Sequence, residues 1–331
     1  MKKKLLLSLF GVMCLGLSGC SNANASGTNE IVIYTNADEE ILDFMRVALD
    51  SNGYDGQYIL QGMGTSELGG KLMAEGTNIE ADLISMSGYY IDSAQQQHDM
   101  FLDLDAYKTP LLNTSAYQIP LTGLQSTILI NTEMISSLGL DTPTSMKDLA
   151  DPQYAGLVSV PDITGSSTAW LLIQTLLNEY SYDEALSIME GIISNAELHL
   201  ESSGSGPIKK IRAGEVAVGM GLRHQAVADE LSGLPVGYVD PIEGNYQLTE
   251  SLAVVKKGNS ETEELAKEML YCIIENTRDD ILDIYQTLLY EGETLNGITS
   301  ALYPREYKDT LTVDLLAEHT AFSELAKSNI K

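Results

Sequence analysis

Four loops rich in glycine, serine and threonine carry the residues that could do chemistry in this sequence. Each loop leads into a predicted helix, where free backbone N–H groups and the helix dipole favour a bound anion and hydroxyl groups add donors. The candidate residues, together with Ser87 after a further strand, are Thr35, Asn36, Gly64, Thr65, Ser66, Ser87, Ser166, Ser167, Thr168, Ser203 and Ser205. Serine and threonine also cap helices that bind nothing, so capping alone is the alternative for any one loop. Four such loops in one chain indicate a polar or anion-binding cleft.

A charged pair, Arg223-His224, follows the small-residue strand predicted at 217–221. An arginine there could bind a phosphate-like or carboxylate group through two hydrogen bonds, and the histidine could bond a hydroxyl or phosphoryl oxygen. The alternative is an arginine paired with Asp229 or Glu230 and a histidine that only caps a helix.

Glu243 and the pair Tyr89-Tyr90 also allow more than one interpretation. Glu243 follows a strand-like run at 236–239 and could accept hydrogen bonds from ligand hydroxyls or an amine, or could only support a turn. The two tyrosines could form a ligand wall or a phenolate pair for ferric iron, or could simply pack in the interior.

Motifs of known catalytic sites are missing from the sequence. It contains no Gly-x-Ser-x-Gly elbow, no Walker loop and no Gly-x-Gly-x-x-Gly at the start of a helix. The four histidines, at 98, 199, 224 and 319, lack the spacing of a zinc site, and Cys272 stands in an apolar helical run typical of a buried thiol. We therefore expect no enzyme, no cofactor and no metal site.

The balance of charge excludes one class of partner, and the first residues indicate a compartment. The chain has 47 acidic and 19 basic residues and a formal charge of −28, which argues against nucleic-acid binding.

Three lysines precede an apolar run that is too short to span a bilayer and ends in Leu17-Ser18-Gly19-Cys20. This pattern predicts a signal peptide at 1–19 and a flexible tether at 20–28. Because it resembles a bacterial lipobox it also implies a lipid on Cys20, the alternative being a plain signal peptide.

The elements that must position the candidate residues are strands alternating with helices. This alternation predicts an α/β fold with a largely parallel sheet, in which the ligand crevice lies at the carboxyl ends of the strands. The units form two groups, followed by a mostly helical segment after residue 250. We expect two lobes, one from residues 29–128 with 247–331 and the other from 129–246, with the chain crossing between them more than once.

Two segments, PTSMKDLADPQYAG at 143–156 and SGSGPIKKIRAGEVAVG at 203–219, resemble the iron/phosphonate-type group of solute-binding proteins of ABC importers. The resemblance covers essentially the whole mature chain. It implies a two-lobed type II periplasmic-binding-protein fold, crossing hinge strands, and a ligand cleft that closes on binding. It also implies an ABC permease with its ATPase as partners. We expect a monomer that meets the membrane only through its lipid.

The resemblance also bears on the solute. Ferric-binding members carry a tyrosine pair where this chain has Arg223-His224-Gln225, whereas relatives that take sugar phosphates or phosphonates use Ser/Thr-rich helix starts. This implies a small anionic solute of organophosphonate or sugar-phosphate type, with Arg223 adding charge and Glu243 contacting the organic part. Binding of ferric iron or another metal complex is the alternative within the group. An extracellular phosphatase-like hydrolase and an adhesin are alternatives from other classes.

Overall fold

The computed structural model describes residues 30–295 and 300–330. The predicted signal peptide, the tether and Cys20 lie outside the described residues. Within these ranges no helix has the length and apolar character that crossing a membrane requires.

Ten strands and ten α-helices make up the described chain. The strands are β1 (Ile31–Thr35), β2 (Tyr58–Gly62), β3 (Leu83–Ser87), β4 (Ile119–Asn131), β5 (Val158–Pro161), β6 (Leu200–Glu201), β7 (Val218–Leu222), β8 (Val236–Val239), β9 (Asn245–Val254) and β10 (Pro304–Arg305). The helices are α1 (Glu39–Ser51), α2 (Thr65–Glu75), α3 (Gly88–His98), α4 (Thr132–Leu138), α5 (Thr168–Glu179), α6 (Tyr182–Ala196), α7 (Gly206–Ala213), α8 (Arg223–Leu231), α9 (Ser260–Tyr285) and α10 (Val313–Asn329). Short 3₁₀ turns occupy Gly76–Asn78, Met146–Ala150 and Pro152–Tyr154.

The strands lie in the order β2-β1-β3-β9-β4-β7-β5-β6, with β8 beside β4 and β10 beside β9. Pairing is parallel at the two ends of this order, among β1, β2 and β3 and among β5, β6 and β7. The two central strands, β4 and β9, run antiparallel to their neighbours. The predicted α/β units are therefore present, joined through a central antiparallel pair.

Strand β4 joins the two halves of the molecule. Its first part pairs with β9 as far as Gln125, and from Ser126 onward it pairs with β7 and β8. One continuous strand thus belongs to both halves, which is the crossing expected from the sequence. The predicted lobe boundaries, 128/129 and 246/247, fall inside β4 and β9.

Helix α10 contacts both halves, although the sequence placed it in the first lobe. At its start the backbone N–H of Val313 donates to Ser93 Oγ of α3, at 3.1 Å. Near its end Lys327 pairs with Asp162 at 2.6 Å, and the Phe322 ring packs edge-on against a tyrosine of α6. The C-terminal helix therefore bridges the halves on their outer side.

A buried ion pair fastens α9 to β4. The Arg278 guanidinium binds both carboxylate oxygens of Glu293, at 2.7 and 2.8 Å, and donates to the carbonyl of Leu121. Both charged side chains are almost fully buried. The arginine is also satisfied by backbone carbonyls, and the glutamate by backbone N–H groups. This arginine is therefore structural and is not free to bind a ligand.

Candidate functional site

A cavity of about 270 Å³ lies where loops from both halves meet beside the crossing strands. It is lined by Asn36, Asp38, Gly64, Thr65, Leu124, Gly165, Ser166, Ser167, Thr168, Ser202, Ser203, Gly204, Ser205, Leu222, Glu250 and Tyr285. Eight of the residues singled out in the sequence are among them, namely Asn36, Gly64, Thr65, Ser166, Ser167, Thr168, Ser203 and Ser205. The four polar loops therefore converge on one space.

The helices that begin at this cavity lack side-chain caps. The residues that precede α1, α2, α5, α7 and α8 all line the cavity, and none of them bonds the first turn of its helix through a side chain; they are Asp38, Gly64, Ser167, Ser205 and Leu222. By contrast, a side-chain cap is present at each of α4, α6, α9 and α10, from Asn131, Ser181, Asn259 and Thr312. At α2 the first N–H groups have no partner among the described residues, and the helix dipole attracts negative charge. At α5 they bond Ser166 Oγ and the carbonyls of Ser166 and Ser167, so the capping alternative fits Ser166 and does not fit the residue directly before each of the five helices.

Two glycines allow the loops of the second half to approach each other. A Cβ on Gly204 would lie 2.2 Å from Thr168 Oγ1, and a Cβ on Gly165 would lie 2.8 Å from the Ser202 carbonyl oxygen. Any side chain at either position would push the loops apart. The glycines therefore keep the serine hydroxyls and the starts of α5 and α7 next to one another.

The opposite wall of the cavity is acidic. Glu250 of β9 accepts hydrogen bonds from Asn36 Nδ2 at 3.0 Å and from Thr122 Oγ1 at 3.3 Å. Burial, and to a smaller extent the nearby carboxylate of Asp38, raise the pKa of Glu250 to about 7, against the effect of the hydrogen bonds from Asn36 and Thr122, which lower it. Burial also raises the pKa of Asp38, an effect that Lys209 of α7 partly offsets.

Arg223 does not reach the cavity. Its Nε donates to Asp240 Oδ1 at 3.0 Å, and its guanidinium lies over the Tyr238 ring with 2 % of the residue exposed. The predicted role in binding an anion is therefore not open to this side chain. The alternative pairing with Asp229 is also wrong, since Asp229 binds Arg212 at 2.6 Å.

His224 lies behind the cavity wall. Its ring packs on the Tyr285 ring at 4.2 Å between centroids, and Tyr285 in turn lines the cavity. Burial lowers the pKa of His224 to about 3, so the imidazole is neutral at physiological pH. Its Nδ1 has no hydrogen-bond partner among the described residues. The side chain supports Tyr285 and does not line the cavity.

Glu243 also lies elsewhere in the structure. It accepts hydrogen bonds from the backbone N–H groups of Met146 and Lys147 and from the Tyr180 hydroxyl. This carboxylate therefore holds the 3₁₀ turn at 146–150 in place. The turn-supporting alternative fits this position, and contact with a ligand in the cavity does not.

The remaining predicted residues surround the cavity without lining it. Thr35 Oγ1 accepts from the Ala37 N–H at 3.0 Å, which shapes the loop before α1. Ser87 is buried opposite Glu250 in the β3–β9 register, and Ser66 is exposed on α2.

The two tyrosines after Ser87 are packing residues. The Tyr89 ring meets the Trp170 ring edge-on at 4.8 Å, and the Tyr90 ring covers Gly69. Neither lines the cavity between the halves, so they form no phenolate pair there. Among the described residues, no group of three His, Cys, Asp or Glu side chains is arranged as a metal site.

A second, larger cavity of about 410 Å³ lies on the opposite face of the crossing strands. Neighbouring residues of β9 separate the two spaces, because Glu250 lines the first cavity while Thr249 and Ser251 line the second. All of its lining residues come from 88–120 and 247–311, so no loop of the second half contributes. The first cavity is therefore the better candidate for a ligand held between lobes.

Comparison with known proteins identifies the class of the chain. The model of the bacterial extracellular solute-binding protein family matches residues 81–288. An uncharacterized protein of Haemophilus influenzae is 26 % identical over 251 residues, which is 72 % of this chain and 70 % of the relative.

Solved structures show the same fold. The periplasmic binding protein AfuA of Actinobacillus pleuropneumoniae, solved with fructose 6-phosphate bound, has a TM-score of 0.65 at 20 % identity and covers 91 % of this chain and 96 % of its own. Iron-bound HitA of Pseudomonas aeruginosa has a TM-score of 0.71 at 15 % identity, with 90 % and 99 % covered. The predicted two-lobed type II periplasmic-binding-protein fold is thus confirmed. Since the family model covers more than half of the sequence, the chain belongs to the bacterial extracellular solute-binding proteins.

Proposed function

We propose that this protein is the receptor of an ABC importer and captures a small organophosphorus anion, a phosphonate or a sugar phosphate, by closure of its lobes. The observation that carries the proposal is the convergence of uncapped helix starts from both halves on one cavity. A phosphoryl group has several acceptor oxygens and negative charge, which is the chemistry that such donors bind. One structural neighbour was solved with a sugar phosphate, which supports this class of solute.

The cavity offers binding chemistry, and among the described residues no serine or threonine hydroxyl that lines it is hydrogen-bonded to an imidazole or a carboxylate. Its hydroxyls belong to loop residues, and the buried imidazole of His224 has no hydrogen bond to any of them among the described residues. A nucleophile activated by a base would need such a bond. We therefore propose reversible capture and delivery to a permease and its ATPase, without turnover.

Ferric iron is the second candidate, since Asp38, Glu250 and Tyr285 place hard oxygen atoms along one wall. Two features disfavour it. Burial raises the pKa of Tyr285 well above its ordinary value, which holds the phenol in its protonated, weakly ligating form. The free N–H donors at the start of α2 would face a cation with their positive ends.

The overall charge of −28 does not oppose anion binding. At physiological ionic strength the Debye length is about 8 Å, so most surface carboxylates are screened from a ligand inside the cleft.

We further propose that the receptor acts as a monomer held at the membrane by a lipid on Cys20, in keeping with the Leu17-Ser18-Gly19-Cys20 sequence. A mass spectrum of the N-terminal peptide from the membrane fraction tests this anchor.

A thermal-shift series on the soluble domain tests the proposed solute class. Fructose 6-phosphate and propylphosphonate, each with its phosphorus-free counterpart, and ferric ion are compared, and released phosphate is assayed in parallel. We expect at least one phosphorus compound to raise the melting temperature by several degrees, because a ligand at about 100 times its Kd adds roughly 2.7 kcal/mol of stability. A shift with ferric ion alone, or steady release of phosphate, would contradict the proposal.

A further inference from the structure

We propose that Asp38 and Glu250 bind a protonated amine of the solute, so that the cleft selects amine-bearing phosphonates or phosphate esters over analogues without the amine. This inference rests on the proposed function and specifies the solute class further. It follows from the acidic wall of the cavity, because a phosphoryl group is negatively charged and would not bind the carboxylates of that wall.

Glu250 is a buried carboxylate that lacks a cationic partner. Only 7 % of the residue is exposed, and its oxygens accept from one amide and one hydroxyl. In the described part of the chain no lysine or arginine pairs with Glu250 or with Asp38, and the buried arginines pair with Asp240 and Glu293. Lys209 lies near Asp38 but is exposed on α7. Asp38 is exposed, so the cost falls on Glu250: burying a carboxylate beside a second negative charge and without a counter-ion is unfavourable, and a bound cation removes that cost.

The same wall also contains an acceptor atom that receives no hydrogen. The Nδ2 of Asn36 donates to Thr65 Oγ1 at 2.9 Å and to Glu250, and its Oδ1 has no partner among the described residues. Carboxylates and an orphan carbonyl oxygen together call for a ligand that donates hydrogen bonds from this side.

The two walls of the cavity therefore suit two oppositely charged groups of one molecule. The start of α2 offers free N–H groups and the loops before α5 and α7 offer serine hydroxyls for an anionic group, while Asp38 and Glu250 require a cationic donor. A phosphate or phosphonate with a nearby ammonium satisfies both walls. An anion without such a group would leave the carboxylates uncompensated beside its own charge.

The titration of Glu250 fits this assignment. The groups that face it are Asp38, Asn36, Thr122, Ser87 and the phenols of Tyr89 and Tyr285, none of which supplies a positive charge. With a pKa raised to about 7, Glu250 is partly protonated in the empty cleft at neutral pH. A bound ammonium favours the ionised carboxylate, so binding of the amine is expected to release protons near pH 7.

Calorimetric titration with two matched ligand pairs tests the inference. The pairs are 2-aminoethylphosphonate with propylphosphonate, and glucosamine 6-phosphate with glucose 6-phosphate, which differ at the amine position alone. A hydrogen-bonded charge pair contributes roughly 1.5–3 kcal/mol, so in at least one pair the amine is expected to bind about 30-fold more tightly. That preference is expected to fall to about 3-fold or less in Glu250→Gln and in Asp38→Asn.

Glu264→Gln, at an exposed position of α9, is the matched control and is expected to keep the wild-type preference. Two carboxylate variants are used so that a folding defect in one does not decide the result, and urea unfolding checks both. Equal binding within both pairs, or an amine preference undiminished in both variants, overturns the inference while the proposed function stands. If none of the four compounds binds, the proposed function fails and the inference fails with it.

Discussion

Replacing Gly64 by aspartate is expected to weaken binding of the phosphorylated solute by about 100-fold or more without destabilising the fold. Gly64 precedes α2 with an extended backbone, φ −66° and ψ 147°, and no atom lies within 4 Å of the position of an added Cβ. The new side chain therefore fits without strain. Aspartate is a favoured N-cap, so its carboxylate takes the free N–H groups of the first turn and places a negative charge where the phosphoryl group would lie. Two like charges about 4 Å apart repel by roughly 4 kcal/mol at an effective dielectric of 20, more than the 2.7 kcal/mol that a 100-fold loss represents.

Two control variants separate the charge from the side chain itself. Gly70→Asp adds the same charge to an open position of α2 that does not line the cavity, and is expected to change the Kd by less than about 3-fold. Gly64→Asn caps the helix with a neutral group and is expected to give an intermediate loss. Calorimetry measures the affinity, and urea unfolding measures the stability. Wild-type affinity in Gly64→Asp would mean that the start of α2 does not bind the solute.

Replacing Glu250 by glutamine is expected to stabilise the empty protein at alkaline pH and to leave its stability nearly unchanged near pH 4.5. The pKa of Glu250 is about 7 in the fold and about 4.5 for the unperturbed group. At a pH between these two pKa values, Glu250 keeps its proton in the folded state and has lost it in the unfolded state. The free energy of unfolding of the wild type therefore falls as pH rises through this range. Above pH 7 the whole penalty is present, on the order of 3 kcal/mol, and the neutral glutamine does not incur it.

Urea unfolding of both proteins at pH 4.5 and pH 8.5 measures this difference. Glu264→Gln, an exchange of an exposed carboxylate, should show the same free-energy difference from wild type at both pH values. If Glu250→Gln behaves like that control, the buried carboxylate carries no penalty, and the argument for a missing counter-ion loses its basis.

The convergence of the polar loops could be predicted from the sequence because it follows from topology. Parallel strands end at a common edge, so within each half the loops had to meet once the strands were recognised, 36 with 64–65 in the first and 166–168 with 203–205 in the second. The crossing strands then join the halves, and both pairs of loops line one cavity. The α/β class and the crossing between lobes follow from the same alternation.

The roles of the charged residues could not be predicted in this way, because they depend on partners that the pattern does not specify. Arg223 is neutralised by Asp240, seventeen positions later in the chain. Glu243 bonds backbone groups at Met146 and Lys147, almost a hundred positions earlier. The local sequence shows that a charged residue follows a strand. It does not show which opposite charge or backbone N–H group the fold places next to that residue.

The acidic wall was missed for a different reason. The sequence marked the segment after residue 250 only as mostly helical, whereas α9 extends as far as Tyr285, whose ring lines the cavity. The buried positions Ile281, Leu282 and Tyr285 continue the helical period, so this extension had a signal in the sequence. Glu250 had none, because a single carboxylate at the edge of a predicted strand looks like a solvated residue until β9 is seen to pass between the lobes.

A crystal structure of the domain with the tightest-binding phosphorus compound tests the central claim most directly. We expect the phosphoryl oxygens to lie within about 3 Å of the free backbone N–H groups at the start of α2 and of the hydroxyls of Thr65, Ser167 or Ser205. The organic part should lie toward Glu250. A phosphoryl group bound outside this cavity, for example on the opposite face of β4 and β9, would contradict the account.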